Sequence, residues 1–154
     1  MTSADASGVD KRRLGLSARA ERELLAAQED VWRFLAEPRH LADWWPGVAA
    51  VEPDRRGLAP GARWQVRATD RPGLFRRARA TQTLAVREVD APRRVAWYLA
   101  GERLDVELDL VAAAPERTLA RLAVSGPLML GFRRALPRRA LERLHNLIQT
   151  AATL

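Results

Sequence analysis

The sequence predicts an α+β fold: an antiparallel sheet of about seven strands, covered by one long C-terminal helix, with two short helices inserted after the first strand. Three observations carry the prediction. Apolar and polar residues alternate with period two in runs that recur about every ten residues through the middle of the chain. The intervals between those runs hold roughly two to five residues rich in Gly, Pro and Asp, too few for crossover helices, so neighbouring strands must run antiparallel. Near the C-terminus the pattern changes to a helical period with one apolar stripe.

Residues 1–13 are small, polar and charged, and are expected to form a disordered arm ahead of a single domain over 14–154. Ala18 to Leu25 alternates as a first, half-buried strand. From Gln28 the period becomes helical, with Val31, Phe34 and Leu35 on one side and Glu29 and Asp30 near the positive end of the helix dipole. That helix must stop before Pro38, which can open a second short helix carrying Leu41, Trp44 and Trp45 on one face until Pro46-Gly47 ends it.

Six strands follow. "VAAVEP" is short and apolar, and "ARWQVRAT" sets Trp64, Val66 and Ala68 against Arg63, Gln65 and Arg67. The run Arg77 to Glu88 places Ala78, Ala80, Gln82, Leu84 and Val86 on one face. After "VAWYLA", the stretch "LDVELDLV" opposes Leu104, Val106, Leu108 and Leu110 to Asp105, Glu107 and Asp109, a strand with one dry and one wet face. "TLARLAVS" is the last strand, with the face of Arg121 left ambiguous. The terminal helix gathers Leu136, Ala140, Leu141, Leu144, Leu147, Ile148 and Ala151 into a stripe, and Pro137 either begins it or kinks a longer helix starting near Leu128.

Composition excludes several functions. The 154 residues contain no cysteine, which removes disulfides, thiolate nucleophiles and Cys-based metal sites. The two histidines, His40 and His145, show no ligand spacing, so neither a metal nor another cofactor is expected, and lone His40 reads as a surface residue. No segment approaches the ~20 apolar residues of a membrane span, and a cytoplasmic location is expected. Of the 26 basic residues only Lys11 is a lysine, and the arginines are scattered without interleaved aromatics. A nucleic-acid partner is therefore not expected from the net charge of +7 alone.

The order of elements, with "EDVWRFLAEPRHLADWWPGVAAVE" (Glu29 to Glu52) and the strand start at Gly61 and Trp64, resembles the START-like superfamily, also called SRPBCC, in its polyketide cyclase/dehydrase and lipid-transport group. The resemblance covers roughly residues 17–152. It implies a helix-grip fold, in which a curved sheet wraps the C-terminal helix around a deep apolar cavity and the short helices close one end. It does not select among carriers, cyclases, aromatases, receptors and regulators on that scaffold.

Two readings of the Trp44-Trp45 pair stay open: a wall of the cavity, or a plug filling the core. Under the first, Leu41, Trp44, Trp45, Trp64, Gln82, Trp97, Val106, Leu141, Leu144 and Ile148 supply the walls, and the cavity should reach the ~300 Å³ lower range of ligand sites. The expected partner is a hydrophobic small molecule (a lipid, polyketide or aromatic compound) held by a carrier or receptor, monomeric or dimeric. One alternative is a polyketide cyclase or aromatase in the same cavity, with Gln82, His145 or Tyr98 orienting substrate or moving a proton. Another is a nucleic-acid or ribosome-associated regulator. No acid–base pair, activated nucleophile or phosphate loop emerges from the residues themselves.

Overall fold

The computed structural model describes residues 17–69, 81–127 and 132–152, with Phe132 and Ala152 described by backbone alone. The expected arm at 1–13, the positions of Ala78 and Ala80, and a helix start near Leu128 lie outside the described residues. The elements follow the order β1 (Ser17–Leu24), α1 (Gln28–Ala36), a 3-10 turn (Pro38–His40), α2 (Leu41–Trp44), β2 (Val48–Glu52), β3 (Arg63–Ala68), β4 (Thr81–Asp90), β5 (Arg94–Leu99), β6 (Leu104–Ala114), β7 (Arg117–Ser125) and α3 (Phe132–Ala152).

The seven strands form one sheet in the order β1-β7-β6-β5-β4-β3-β2, every neighbouring pair antiparallel. Strands β2 to β7 are a plain meander, and β1 returns from the other end of the domain to pair with β7. Period two explains the sidedness. Leu104, Val106, Leu108 and Leu110 are all buried, while Asp105, Glu107 and Asp109 stand half-buried on the opposite face. Register then aligns apolar residues across strands: Val86 faces Trp97, Trp97 faces Val106, and Val106 faces Val124. Register shifts between Val86 and Glu88 and between Ala112 and Ala114 break the regular ladder of β4 and β6.

Helix α1 begins without a side-chain cap, but Glu29 and Asp30 in its first turn complement the dipole. It stops because Glu37 precedes a proline and takes an extended backbone. His40 is a brace rather than the expected surface residue. Its Nδ1 lies 2.7 Å from the Phe34 carbonyl oxygen, to which it donates, and its ring stacks on Phe34 with centroids 4.2 Å apart. This link spans Pro38, across which the helix ladder cannot continue.

Two part-buried bonds fasten the start of α1 and the connection ahead of it to the sheet: Gln28 Nε2 donates to the Leu110 carbonyl at 2.9 Å, and Thr118 Oγ1 donates to the Ala26 carbonyl at 2.8 Å. On α3, Leu136, Ala140, Leu141, Leu144 and Ile148 form the buried stripe, Leu147 is partly buried, and Ala151, expected on the stripe, is exposed. The helix packs on β1, β7 and α2, and Pro137 lies inside it.

Candidate functional site

Three tryptophans meet where α2 approaches the middle of the sheet. Trp44 and Trp45 stand edge to face with centroids 5.4 Å apart, and each makes a second edge contact with Trp97 of β5, at 6.2 Å and 5.5 Å. All three are buried, and each such pair contributes about 0.5–1.5 kcal/mol beyond the area it covers. The cluster fastens α2 to β5.

Beside the cluster is a cavity of about 20 Å³, lined among the described residues by leucine, valine and tryptophan side chains only. That is room for one water molecule and well short of the ~300 Å³ expected of a ligand site. The expectation of a roomy cavity is corrected accordingly: the described core is closed, because the Trp cluster and the leucines of α1, α2 and the sheet fill the concave side.

The cavity brings together Leu41, Trp44, Trp64 and Trp97 of the ten wall residues expected from sequence. Trp45 touches Trp44 and Trp97 but does not line the space. Val106 is buried on β6, and Leu141, Leu144 and Ile148 are buried on the stripe of α3, also without lining it. The remaining walls are Leu35, Leu58, Leu84, Val86, Val95 and Leu108. Most of these follow the strand periodicity, whereas Leu58 lies in the β2–β3 loop, where no period marks it.

The three side chains considered for chemistry lie apart from the cavity. Gln82 has the inward phase of Leu84 and Val86, but at the start of β4, where its Oε1 accepts the Glu102 backbone N–H at 3.2 Å and occupies the space a side chain at Gly101 would need. The sheet's own turn therefore satisfies the amide oxygen. Tyr98 lies on the outer face beneath the Arg87 guanidinium, 4.5 Å from the ring centre. His145 is half-buried, its Nδ1 3.4 Å from Arg22 Nη2, at the β1 edge of the sheet.

Leu58 alone among the lining residues is only partly buried, so it marks the mouth. Its loop is tied from both sides. Asp54 Oδ1 accepts the Arg56 N–H at 3.0 Å and Oδ2 accepts the Arg63 N–H at 2.8 Å. The Arg63 amide, with those of Arg56 and Gly57 and the Arg56 charge, holds the Asp54 carboxyl below the ordinary aspartate value. Trp64 Nε1 donates to the Gly57 carbonyl at 2.8 Å. Gly61, at φ +86°, takes a backbone conformation that strains any residue with a Cβ.

Many of the charges on the outer face are paired. Arg94 meets Glu88 at 3.2 Å, Glu107 at 3.5 Å and Asp109 at 2.9 Å, Arg87 meets Asp105 at 2.9 Å, Arg117 meets Glu23 at 3.3 Å, and Arg121, whose face is now settled, meets Glu21 at 3.0 Å. Alternating signs on this face do not form the continuous basic track a polyanion needs. Among the described residues there is no cluster of metal-ligating side chains and no helix long and apolar enough to cross a membrane.

A seven-stranded antiparallel sheet gripping a C-terminal helix, with short helices after the first strand, defines a START-like, helix-grip protein. The chain belongs to the family described as polyketide cyclase/dehydrase and lipid transport, whose sequence pattern matches residues 16–151. A search of curated protein sequences found no match. Among solved structures it is similar to a protein from Nitrosomonas europaea, at 18% identity and TM-score 0.66 over 92% of this chain and 99% of that one. It is also similar to norcoclaurine synthase from Thalictrum flavum, solved with a transition-state analogue, at 15% identity and TM-score 0.65 over 88% and 95% of the two chains. A START superfamily protein from Mycobacterium smegmatis gives 12% identity and TM-score 0.63 over 89% and 97%. At these identities the structural likeness concerns the fold.

Proposed function

We propose that the chain binds a small hydrophobic molecule between the Trp cluster and strands β3 to β6, and that the described state is the closed one. The observation that carries this reading is the apolar cavity whose one partly exposed wall, Leu58, lies on a loop held by a few hydrogen bonds. A closed core of this kind admits a ligand by population of an open state, with the loop lifted and Leu58 withdrawn, and apparent affinity is lowered by the rarity of that state. Membership of a family named for polyketide and lipid handling supports the same reading.

Binding is preferred over cyclase chemistry because the lining, among the described residues, offers apolar area and no group that exchanges protons near neutral pH, while Gln82, Tyr98 and His145 are occupied elsewhere. The paired arginines of the outer face weigh against the nucleic-acid reading. A carrier or receptor working in the cytoplasm fits these features. Native mass spectrometry of the purified chain tests the proposal: a co-purified small molecule, released on denaturation, is the expected result. A ligand-free chain that also fails to bind apolar probes saturably would overturn it.

A further inference from the structure

Among the described residues, Trp97 Nε1 is the one buried side-chain polar atom without a hydrogen-bond partner, and Trp97 lines the cavity. Natural cores leave few such donors, because an N–H stripped of water and given no acceptor is costly. Trp97 cannot relieve the deficit by turning outward: its ring is 5% exposed, sits between Val86 and Val106 in the cross-strand row, and is gripped by the edges of Trp44 and Trp45. Trp64, on the same cavity, shows the satisfied case, with its Nε1 on the Gly57 carbonyl. A phenylalanine at 97 would supply an aromatic wall without a stranded donor.

We propose that the Trp97 indole N–H is the polar anchor of the ligand site, so that the cavity takes an uncharged, mainly apolar molecule presenting one hydrogen-bond acceptor, such as a ketone, ester or ether oxygen. This rests on the ligand reading of the cavity. The rest of the lining sets the other limits on the ligand. Among the described residues no charged side chain borders the space, so a carboxylate or ammonium group would be desolvated without a counter-charge from them. A molecule with several hydroxyls would strand most of them, whereas a single acceptor is matched one to one.

The test uses acetophenone and α-methylstyrene, which have nearly the same shape and differ by a carbonyl oxygen in place of a methylene. Titrated into the full chain, acetophenone is expected to move the Trp97 indole proton resonance downfield, and α-methylstyrene is not. Trp97→Phe should weaken acetophenone about tenfold more than it changes α-methylstyrene, the ratio removing both the loss of ring volume, which the two probes share, and their unequal hydrophobicity. Equal weakening of both, or an indole shift indifferent to the carbonyl, overturns the anchor and leaves the cavity standing. Failure of both probes to bind overturns the cavity reading and the anchor together. Should Trp97→Phe not fold, the indole resonance in the unaltered chain decides the matter.

Discussion

Trp64 donates its indole N–H to the carbonyl oxygen of Gly57 at 2.8 Å, so one residue is both a wall of the cavity and the tether of the loop that covers it. Trp64→Phe keeps most of the ring and removes the tether. A stability loss of about 1 kcal/mol is expected, because the freed carbonyl lies in a loop that water reaches. Hydrogen exchange should quicken over residues 55–61 and stay unchanged in β5 to β7. Unchanged exchange in the loop would show that other contacts hold it.

Leu58→Ala removes the cover without touching the deeper walls. For a partly buried leucine the cost is about 1–2 kcal/mol, below the range for full burial. Acetophenone should enter faster, measured by stopped-flow quenching of tryptophan fluorescence. An unaltered association rate would place the entrance elsewhere.

Asp54 gives the loop a pH dependence of definite sign. Its carboxyl is held below 3.8 in the folded chain, chiefly by the Arg63 amide, so its contribution is present above that value and is lost as pH falls through the lowered one. Loop amides at Arg56 and Arg63 should therefore exchange faster, relative to β6, only in the acid range below 3.8. Asp54→Asn should bring the same loosening to neutral pH, because an amide offers one acceptor oxygen where two are used.

Arg94 of β5 holds three carboxylates from its two neighbouring strands, and Asp109 first, then Glu88, keep its guanidinium more firmly charged than usual. Arg94→Met should cost about 1 kcal/mol in urea unfolding at low salt, mostly from repulsion among Glu88, Glu107 and Asp109. The deficit should shrink in 1 M NaCl, where the Debye length is about 3 Å. A loss independent of salt would point to packing of the arginine stem instead.

The strands were legible wherever one face is dry and the other wet, as in Leu104 to Leu110, because the pleat writes its period directly into the residues. The tryptophan pair was legible as an inward-facing feature, but its contact with Trp97 was not, since that depends on which part of the sheet α2 meets. Gln82 shows the limit of phase arguments. It shares the strand phase of Leu84 and Val86, yet the β5–β6 turn takes up its amide oxygen. Leu58 was missed because a loop has no period, and His40 because its partner Phe34 lies across a proline break.

The pairing of β1 with β7 sets an order of events during synthesis. Ser17 needs Ser125 opposite it, and at ordinary elongation rates the ribosome delivers the second about 5–20 s after the first. Through that interval the meander β2 to β6 can zip locally, one hairpin on the next, while β1 has no neighbour and the concave face has no α3 to cover it. The nascent chain thus carries an unpaired strand edge and a bare concave face until its last third emerges, which is when a chaperone would have the most to hold. A stop codon anywhere before β7 would leave a β1 that never docks, so truncated products should be cleared as unfolded chain rather than persist as smaller domains.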